Sequence, residues 1–280
     1  MPELPEVETI ARSLQRHLQS AVITGAAVFD KLRDCPACTD LAAFCAGRKI
    51  LNISRRAKYI RVRFDNDTGL ILHLGMTGAF SITPDDNQPQ RHERVAWTLQ
   101  DGRRWRFFDI RKFGRVLLCQ DNPELDTHPV LQALGPEPFS PALTPAYLQK
   151  KLAGRKSPLK PVLLEQDLLV GVGNIYDCEA LFAAGLDPRM PACDVTSAQW
   201  KCLLKEIRAI LTKAIDAGGT HISDFRDVDG SEGKFVQQLQ VYGHAGDPCP
   251  RCGTPIERLT QGGRSTFFCP KCQCCQTERR

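Results

Sequence analysis

Apolar residues near the start of the chain recur at helical spacing and then give way to an alternating pattern. Val7, Ile10 and Leu14 lie three or four positions apart, which predicts a short amphipathic helix. Between residues 22 and 120 short runs such as 59–64 alternate apolar and polar side chains, and polar turns separate them. This region is predicted to be a β-sandwich of two packed sheets with a flanking helix.

The signals change after a proline-rich stretch between residues 123 and 145. Thr196 and Gln199 form a capping-box pattern ahead of an apolar stripe, which predicts a helix that ends at Gly218 and Gly219. The polar, glycine-rich stretch 219–233 predicts a long mobile loop, and long loops in compact proteins are often functional. We expect an α+β chain with three parts: an N-terminal β-sandwich domain at 1–125, a helical domain at 130–235 and a small module at 243–277.

Four cysteines near the C-terminus form two C-x-x-C pairs, Cys249 with Cys252 and Cys269 with Cys272. Two such pairs around a hairpin-length loop predict a zinc ribbon, in which four thiolates hold one structural Zn²⁺. Cys274 and Cys275 offer alternative ligands to Cys272. Cys35 and Cys38 form a further C-x-x-C without a second pair nearby. The odd total of 13 cysteines argues against a disulfide framework.

Composition excludes two broad classes. Hydrophobic residues make up 42% and charged residues 25%, which is unlike a disordered chain. Apolar runs stay well short of the ~20 residues that a membrane-spanning helix needs. The start of the chain, acidic and rich in proline, is unlike a secretory signal, so we expect a cytoplasmic protein.

The formal net charge is only +5, but basic residues crowd into two segments, 55–63 and 103–115. Asp109 is the one acid between Arg103 and Arg115. Aromatic residues such as Trp105 and Phe107 lie between the basic ones. This pattern indicates either a polyphosphate-binding surface with apolar wedges or a twisted sheet with a solvated basic face.

A glycine-rich turn at 171–176 separates two helical patterns. Asn174 is placed to cap the second helix, and Gly185 is placed to end it. Free N–H groups at that helix start would face a phosphate, and the nearby Arg155, Lys156 and Lys160 favour such a role. A plain helical hairpin is the alternative.

The first residues carry the most specific chemistry. Removal of Met1 would give Pro2 a secondary amine with a pKa of roughly 8, a fair nucleophile near neutral pH. An iminium formed by that amine with a sugar C1′ has no N–H to lose and is therefore a lasting electron sink. Glu3 beside it can transfer protons. The alternative is that residues 2–6 form a stiff, solvated segment that only precedes the helix.

These features occur together in one family, and the chain resembles the bacterial-type formamidopyrimidine-DNA glycosylases over nearly its whole length. Beside the cysteine ribbon, the segments that carry the resemblance are 1–9, 55–59, 73–78, 111–114, 171–176 and 240–243. The resemblance implies a bifunctional enzyme that removes 8-oxoguanine and formamidopyrimidines from duplex DNA and nicks the abasic site by β,δ-elimination.

Roles follow from the matching motifs. The implied catalytic residues are Pro2 as the Schiff-base nucleophile, Glu3 as the acid/base, Lys58 as a proton donor and Arg264 as a phosphate contact. The implied DNA contacts are His92, Arg111, Arg155 and Asn174, and the residues that fill the gap left by the flipped nucleotide are Met76, Arg111 and Phe113. We expect the protein to bind damaged double-stranded DNA across a basic cleft between its domains, with one structural zinc ion, no organic cofactor and no membrane association. The sequence gives no sign of oligomerisation, so a monomer is the default expectation.

The chain departs from the family pattern at Ile110, at Arg155 and in its surplus cysteines, since Cys35, Cys38, Cys274 and Cys275 belong to no family signature. Ile110 replaces a proline often found before the arginine, and Arg155 stands where lysine is common. An endonuclease VIII-like enzyme for oxidised pyrimidines is one alternative, although Leu4 favours the purine enzyme. A non-catalytic zinc-ribbon protein that binds nucleic acid is the other.

Overall fold

The computed structural model describes residues 2–85, 88–120, 125–220, 228, 230 and 233–274. The chain divides into two compact units: unit 1, Met1–Gln132 with Ala217–Val236, and unit 2, Ala133–Asp216 with Gln237–Arg280. This division differs from the expected helical domain at 130–235, because residues 217–236 group with the N-terminal part of the chain. Most of the predicted loop 219–233, and Cys275, lie outside the described residues.

Unit 1 combines helices with an antiparallel sheet. Its helices are α1 (Leu4–Leu18), α2 (Cys38–Cys45) and α3 (Pro129–Gln132). Its strands are β1 (Val22–Val28), β2 (Arg48–Arg56), β3 (Tyr59–Phe64), β4 (Gly69–His73), β5 (Gly78–Pro84), β6 (Glu93–Leu99), β7 (Arg103–Asp109) and β8 (Arg115–Cys119).

The eight strands form one hydrogen-bonded order, β5-β7-β6-β1-β2-β3-β4-β8. The two halves of this order meet at a short β1–β2 pairing that begins with Val22 opposite Lys49. One cluster of buried apolar side chains contains residues of α1 and of both halves, among them Leu14, Val62 and Trp97. The β-rich domain is therefore confirmed, and its two sheets are joined through β1 and β2.

Only some side chains of the basic segment 103–115 are exposed to solvent. Trp105 and Phe107 belong to the core, where Trp105 stacks on Trp97 with ring centroids 4.2 Å apart. Arg106 is fully buried and donates to Glu93 Oε2 at 2.7 Å. The interpretation of these residues as wedges or solvated cations was wrong, because alternate side chains of β7 point into the core and the buried arginine requires an internal carboxylate.

Unit 2 is mainly helical and ends in a hairpin. Its helices are α4 (Pro145–Lys151), α5 (Leu159–Leu163), α6 (Asn174–Ala184) and α7 (Ser197–Asp216), and its strands are β9 (Glu257–Gln261) and β10 (Arg264–Phe268). The predicted capping box is confirmed: Thr196 N–H donates to Gln199 Oε1 at 2.8 Å, and Gln199 N–H donates to Thr196 Oγ1 at 3.3 Å. Gly185 ends α6 with a φ of 69°. Within the described ranges, no helix is long and apolar enough to cross a membrane.

Candidate active site and nucleic-acid interface

The first residues of the chain are held at the start of α1. Pro2 is half-buried, and Glu3 is buried at the N-cap position. The Glu3 N–H donates to Glu6 Oε2 at 2.8 Å, while Glu6 Oε1 accepts the N–H of Thr220 at 2.7 Å. One buried carboxylate therefore fixes the residues next to the predicted nucleophile.

Lys58 lies in the turn between β2 and β3, against which α1 packs. It is buried, and Ala57 before it has a φ of 54°. Arg55 donates to the Ala57 carbonyl at 3.1 Å and to Glu8 of α1 at 2.8 Å. The Arg55 guanidinium thus ties the turn that carries Lys58 to the helix that follows Pro2 and Glu3.

His73, at the end of β4, belongs to the same region of unit 1. Burial, together with the positive charges of Arg115, Lys58 and Arg33, lowers the pKa of its imidazole to about 4. Its ring lies 4.7 Å from that of Tyr59, and its Nδ1 accepts the N–H of Gly75 at 3.1 Å. His73 is consequently neutral near pH 7.

The residues expected to fill a gap in DNA lie on two neighbouring turns. Met76 is on the turn between β4 and β5, and Arg111 and Phe113 are on the turn between β7 and β8. Met76 and Phe113 are 38% and 43% exposed, which is unusual for large apolar side chains. The Arg111 guanidinium carbon lies 4.9 Å from the centroid of the Phe113 ring. His92 lies just before β6 with a φ of 65°. We call Met76, Arg111 and Phe113 the wedge set.

In unit 2, Arg155 is already paired. Its Nη1 donates to Glu165 Oε2 at 2.8 Å, and its Nη2 donates to the other oxygen of the same carboxylate. The bidentate pair is partly exposed, so the guanidinium can exchange Glu165 for a phosphate at small cost.

Asn174 does not cap α6; Gly173 is the N-cap, and Asn174 is the first helical residue. Its side chain instead accepts from Lys160 Nζ at 2.5 Å and donates to the Ser265 carbonyl at 2.9 Å. Lys160 is fully buried, which excludes it as a solvated phosphate contact. The two residues join the glycine turn to the C-terminal hairpin.

The four predicted metal ligands come together. The sulfur atoms of Cys249, Cys252, Cys269 and Cys272 lie within 4.8 Å of one another. The Cys249–Cys272 and Cys252–Cys269 sulfur distances are 3.9 and 3.5 Å, close to the ~3.8 Å expected around a tetrahedral Zn²⁺ with ~2.3 Å bonds. N–H groups of Arg251 and Cys272 donate to two of the sulfurs, as thiolates require. The cluster fits one structural zinc ion.

Arg264 begins β10 directly after the Gly262–Gly263 turn, whose φ angles of 55° and 73° suit a tight hairpin. Arg251, within the first cysteine pair, donates to the Phe182 carbonyl at 2.9 Å and to the Ala183 carbonyl at 3.2 Å. The ribbon that presents Arg264 is thereby anchored to the end of α6.

Sequence reasoning missed several residues that hold the site. Glu179 is one of them, since it is buried and accepts the N–H groups of Gln240, Val241 and Tyr242 at 2.8–3.0 Å. Glu6 is another. Glu6 lies three residues after the N-cap Glu3, which is the spacing of a capping box. The sequence around Glu179, with Asp177 two positions away, gives no comparable signal.

Three family models match successive parts of the chain. They are the formamidopyrimidine-DNA glycosylase N-terminal domain at 1–116, the formamidopyrimidine-DNA glycosylase H2TH domain at 134–226 and the zinc finger found in FPG and IleRS at 246–273. The formamidopyrimidine-DNA glycosylase of Laribacter hongkongensis is 45% identical over 273 residues, which cover 98% of this chain and all of that protein.

Solved structures agree. The MutM (Fpg) protein of Thermus thermophilus superposes with a TM-score of 0.86 at 39% identity, covering 97% of this chain and 98% of that one. The Lactococcus lactis Fpg bound to DNA containing an abasic site gives a TM-score of 0.89 at 33% identity, covering 98% of this chain and 100% of that one. Matches of this extent show that the chain belongs to the formamidopyrimidine-DNA glycosylase family.

Proposed function

We propose that Pro2 carries the chemistry of this protein, a base-excision DNA glycosylase that removes oxidised purines and cleaves the resulting abasic site. One observation carries the proposal. Glu6 fixes Glu3, the residue next to Pro2, at the start of α1, in a chain that matches the glycosylase N-terminal domain from residue 1.

The reaction begins when removal of Met1 frees the secondary amine of Pro2. The amine lone pair forms a bond to C1′, the bond from C1′ to the base breaks, and the base leaves with that electron pair and gains a proton. The nitrogen releases its own proton. Glu3 then donates a proton to O4′ as the C1′–O4′ bond breaks, which opens the sugar and gives an iminium.

The iminium drives strand cleavage because it accepts electrons from the sugar. Loss of the C2′ proton expels the 3′ phosphate, and loss of the C4′ proton then expels the 5′ phosphate. Lys58 donates a proton in the first elimination and contacts a phosphate, and Arg264 stabilises the phosphate at the lesion and assists the second elimination. Burial of Lys58 supports this role because it strengthens the interaction of its charge with an anion.

The wedge set replaces the nucleotide that turns out of the helix. Extruding a base costs a few kcal/mol of stacking and pairing. Met76 and Phe113 restore apolar contact with the neighbouring bases, and Arg111 donates to the edge of the orphaned cytosine. Their exposure on two adjacent turns supports this role. His92, which precedes β6, contacts the backbone.

Unit 2 contributes phosphate contacts. Because the Asn174 side chain is engaged with Lys160, its DNA contact is made by the main chain at the start of α6, where the helix dipole favours an anion. Arg155 contacts DNA by exchanging Glu165 for phosphate. The zinc ion holds the ribbon that presents Arg264 and takes no part in the chemistry.

The two alternatives fit less well. A zinc-ribbon binding protein without catalysis does not account for the glycosylase N-terminal match over 1–116. An enzyme for oxidised pyrimidines is disfavoured by relatives named formamidopyrimidine-DNA glycosylases, and a cleavage panel separates the two. Preference for thymine glycol over 8-oxoguanine opposite cytosine would overturn the purine assignment. Since the substrate is cellular DNA, we infer that the protein works in the cytoplasm, and we expect it to act as a monomer.

Reductive trapping tests the nucleophile. With borohydride and abasic DNA, the processed protein is expected to form a covalent complex whose sugar remnant maps to Pro2 by peptide mass spectrometry. The matched control retains Met1, which keeps every side chain and acylates the Pro2 nitrogen, and it is expected to form no complex. A remnant mapped elsewhere, or equal trapping by both forms, would refute the role of Pro2.

A further inference from the structure

Asp109 ends β7 and is fully buried, yet three hydrogen bonds from two different turns converge on its carboxylate. Oδ1 accepts the Thr77 hydroxyl at 2.5 Å and the Arg111 N–H at 3.2 Å. Oδ2 accepts the Gly114 N–H at 2.7 Å. The carboxylate therefore binds the turn that carries Met76 to the turn that carries Arg111 and Phe113.

Thr77 completes this link. It follows Met76 directly, and its hydroxyl oxygen accepts the Arg111 N–H at 3.0 Å while donating its own hydrogen to Asp109. The neighbouring pair Gly78 and Asp109 are partners in the β5–β7 ladder. The Thr77 hydroxyl thus joins the two turns just beyond the end of the ladder.

The backbone of Asp109 is held as firmly as its side chain. Its N–H donates to the His92 carbonyl at 3.0 Å, and its carbonyl accepts from Arg94 Nε at 2.7 Å. Arg94 in turn pairs with Asp30, which also binds Lys112 of the second turn at 2.6 Å. Each of these hydrogen bonds of Asp109 therefore leads to a segment that carries a proposed DNA contact.

The two turns also touch directly. A Cβ on Gly75 would lie 2.6 Å from the Phe113 carbonyl carbon, so the backbones are in close contact at this point. Lys112 has a φ of 59°, a left-handed conformation that non-glycine residues adopt only when their surroundings impose it. The two turns that carry the exposed apolar side chains of the wedge set are thus held rigidly against each other.

We propose that Asp109, acting through Thr77, is the positioning residue that holds the wedge set at the spacing needed to enter duplex DNA and to read the opposite base. This inference rests on the proposed function. Met76 and Phe113 must fill the gap left by one nucleotide together, while Arg111 contacts the orphaned base. Turns that are already held in this arrangement do not have to lose conformational entropy when the side chains enter the DNA.

Thr77→Val tests the proposal, because the change keeps the side-chain shape but removes the hydroxyl that joins the turns. Single-turnover excision of 8-oxoguanine opposite cytosine is expected to fall about tenfold. The ratio of excision rates opposite cytosine and adenine is expected to fall about threefold. Cleavage of an abasic site in single-stranded DNA, where no opposite base exists, should change by about twofold at most.

Two further variants complete the experiment. Thr77→Ser keeps the hydroxyl and should restore both the excision rate and the base ratio. Thr68→Val removes a comparable hydroxyl bond, to Asn66 in the β3–β4 turn, and should leave both unchanged. Asp109→Asn, checked for folding by thermal melting, should reproduce the Thr77→Val pattern with a larger loss on duplex DNA.

The outcomes separate this inference from the proposed function. An unchanged base ratio in Thr77→Val, or equal losses on duplex and single-stranded substrates, would overturn the positioning role and leave the enzyme assignment intact. Failure of the wild-type protein on both substrates would overturn the proposed function and this inference with it.

Discussion

Glu6 and Thr220 lie 214 positions apart in the chain, and a buried hydrogen bond of 2.7 Å from the Thr220 N–H to Glu6 Oε1 joins them. The second oxygen of the same carboxylate accepts the Glu3 N–H. A Cβ on Gly219 would lie 3.0 Å from Glu6 Oε1, so the chain approaches the carboxylate closely before Thr220. Glu6 therefore links the start of α1, next to the proposed nucleophile Pro2, to the point where the segment 221–233 begins.

Replacing Glu6 with glutamine should weaken this link. The amide keeps one acceptor oxygen and turns an N–H toward one of the two backbone donors, and a buried donor without an acceptor costs about 1–3 kcal/mol. We expect a melting temperature lower by several degrees and borohydride trapping slower by about tenfold.

The matched control for this prediction is Glu206→Gln, which makes the same chemical change on helix α7 in the other unit. It should alter neither the melting temperature nor the trapping rate. Wild-type trapping kinetics in Glu6→Gln would show that the link does not position the nucleophile.

Local patterns predicted the parts of this protein that depend on local physics. The alternation at 59–64 predicted β3 because one face of that strand packs in the core. The spacing of Cys249, Cys252, Cys269 and Cys272 predicted the metal cluster because two knuckles and a hairpin suffice to bring four sulfurs together. Thr196 and Gln199 predicted a helix start because a capping box involves only neighbouring residues.

The supports of the site could not be found in the same way, because they depend on partners far along the chain. Asp109 stood out in sequence only as a lone acid in a basic segment, and its contacts with Thr77 become visible only when β5 and β7 pair. Asn174 looked like a helix cap, but Lys160 and the Ser265 carbonyl compete successfully for its side chain.

Stability should depend on pH through His73. The folded-state pKa of about 4 lies below the ordinary value of 6.5, so the unfolded chain binds a proton that the folded protein excludes. Stability is therefore expected to be retained above pH 6.5 and to fall as the pH drops toward 4, by at most about 3 kcal/mol from this residue.

His73→Asn tests this dependence, since the amide oxygen can accept the Gly75 N–H in place of Nδ1 and does not titrate. The melting temperature of the variant should fall less between pH 6.5 and 5 than that of the wild type. Equal slopes for His73→Asn and wild type would contradict the assignment.

Zinc removal should abolish DNA binding. The ribbon is too small to form a core of its own, so loss of the metal should unfold the hairpin that presents Arg264. Treatment with a strong chelator is expected to release one zinc ion per chain and to raise the Kd for abasic-site DNA by at least about a hundredfold. Retained affinity after measured zinc release would contradict this role.

Single cysteine variants identify the ligands. Cys252→Ser should lower the zinc content and the melting temperature, since it removes one of the four clustered thiolates. Cys274→Ser should keep one zinc per chain, because Cys272 is the residue in the cluster and Cys274 is exposed outside it. Zinc loss in Cys274→Ser would show that Cys274, and not Cys272, is the fourth ligand.

The salt dependence of binding should report the Arg264 contact. Each phosphate neutralised by the protein adds about 0.9 to the negative slope of log affinity against log salt concentration. Arg264→Ala is expected to weaken binding to all sequences alike and to reduce that slope by about 1. Arg103→Ala removes a cation that already pairs with Asp101 in the β6–β7 turn, so it should leave the slope unchanged. If Arg264→Ala lowered the affinity without changing the slope, Arg264 would act by shaping the hairpin and not by binding a phosphate.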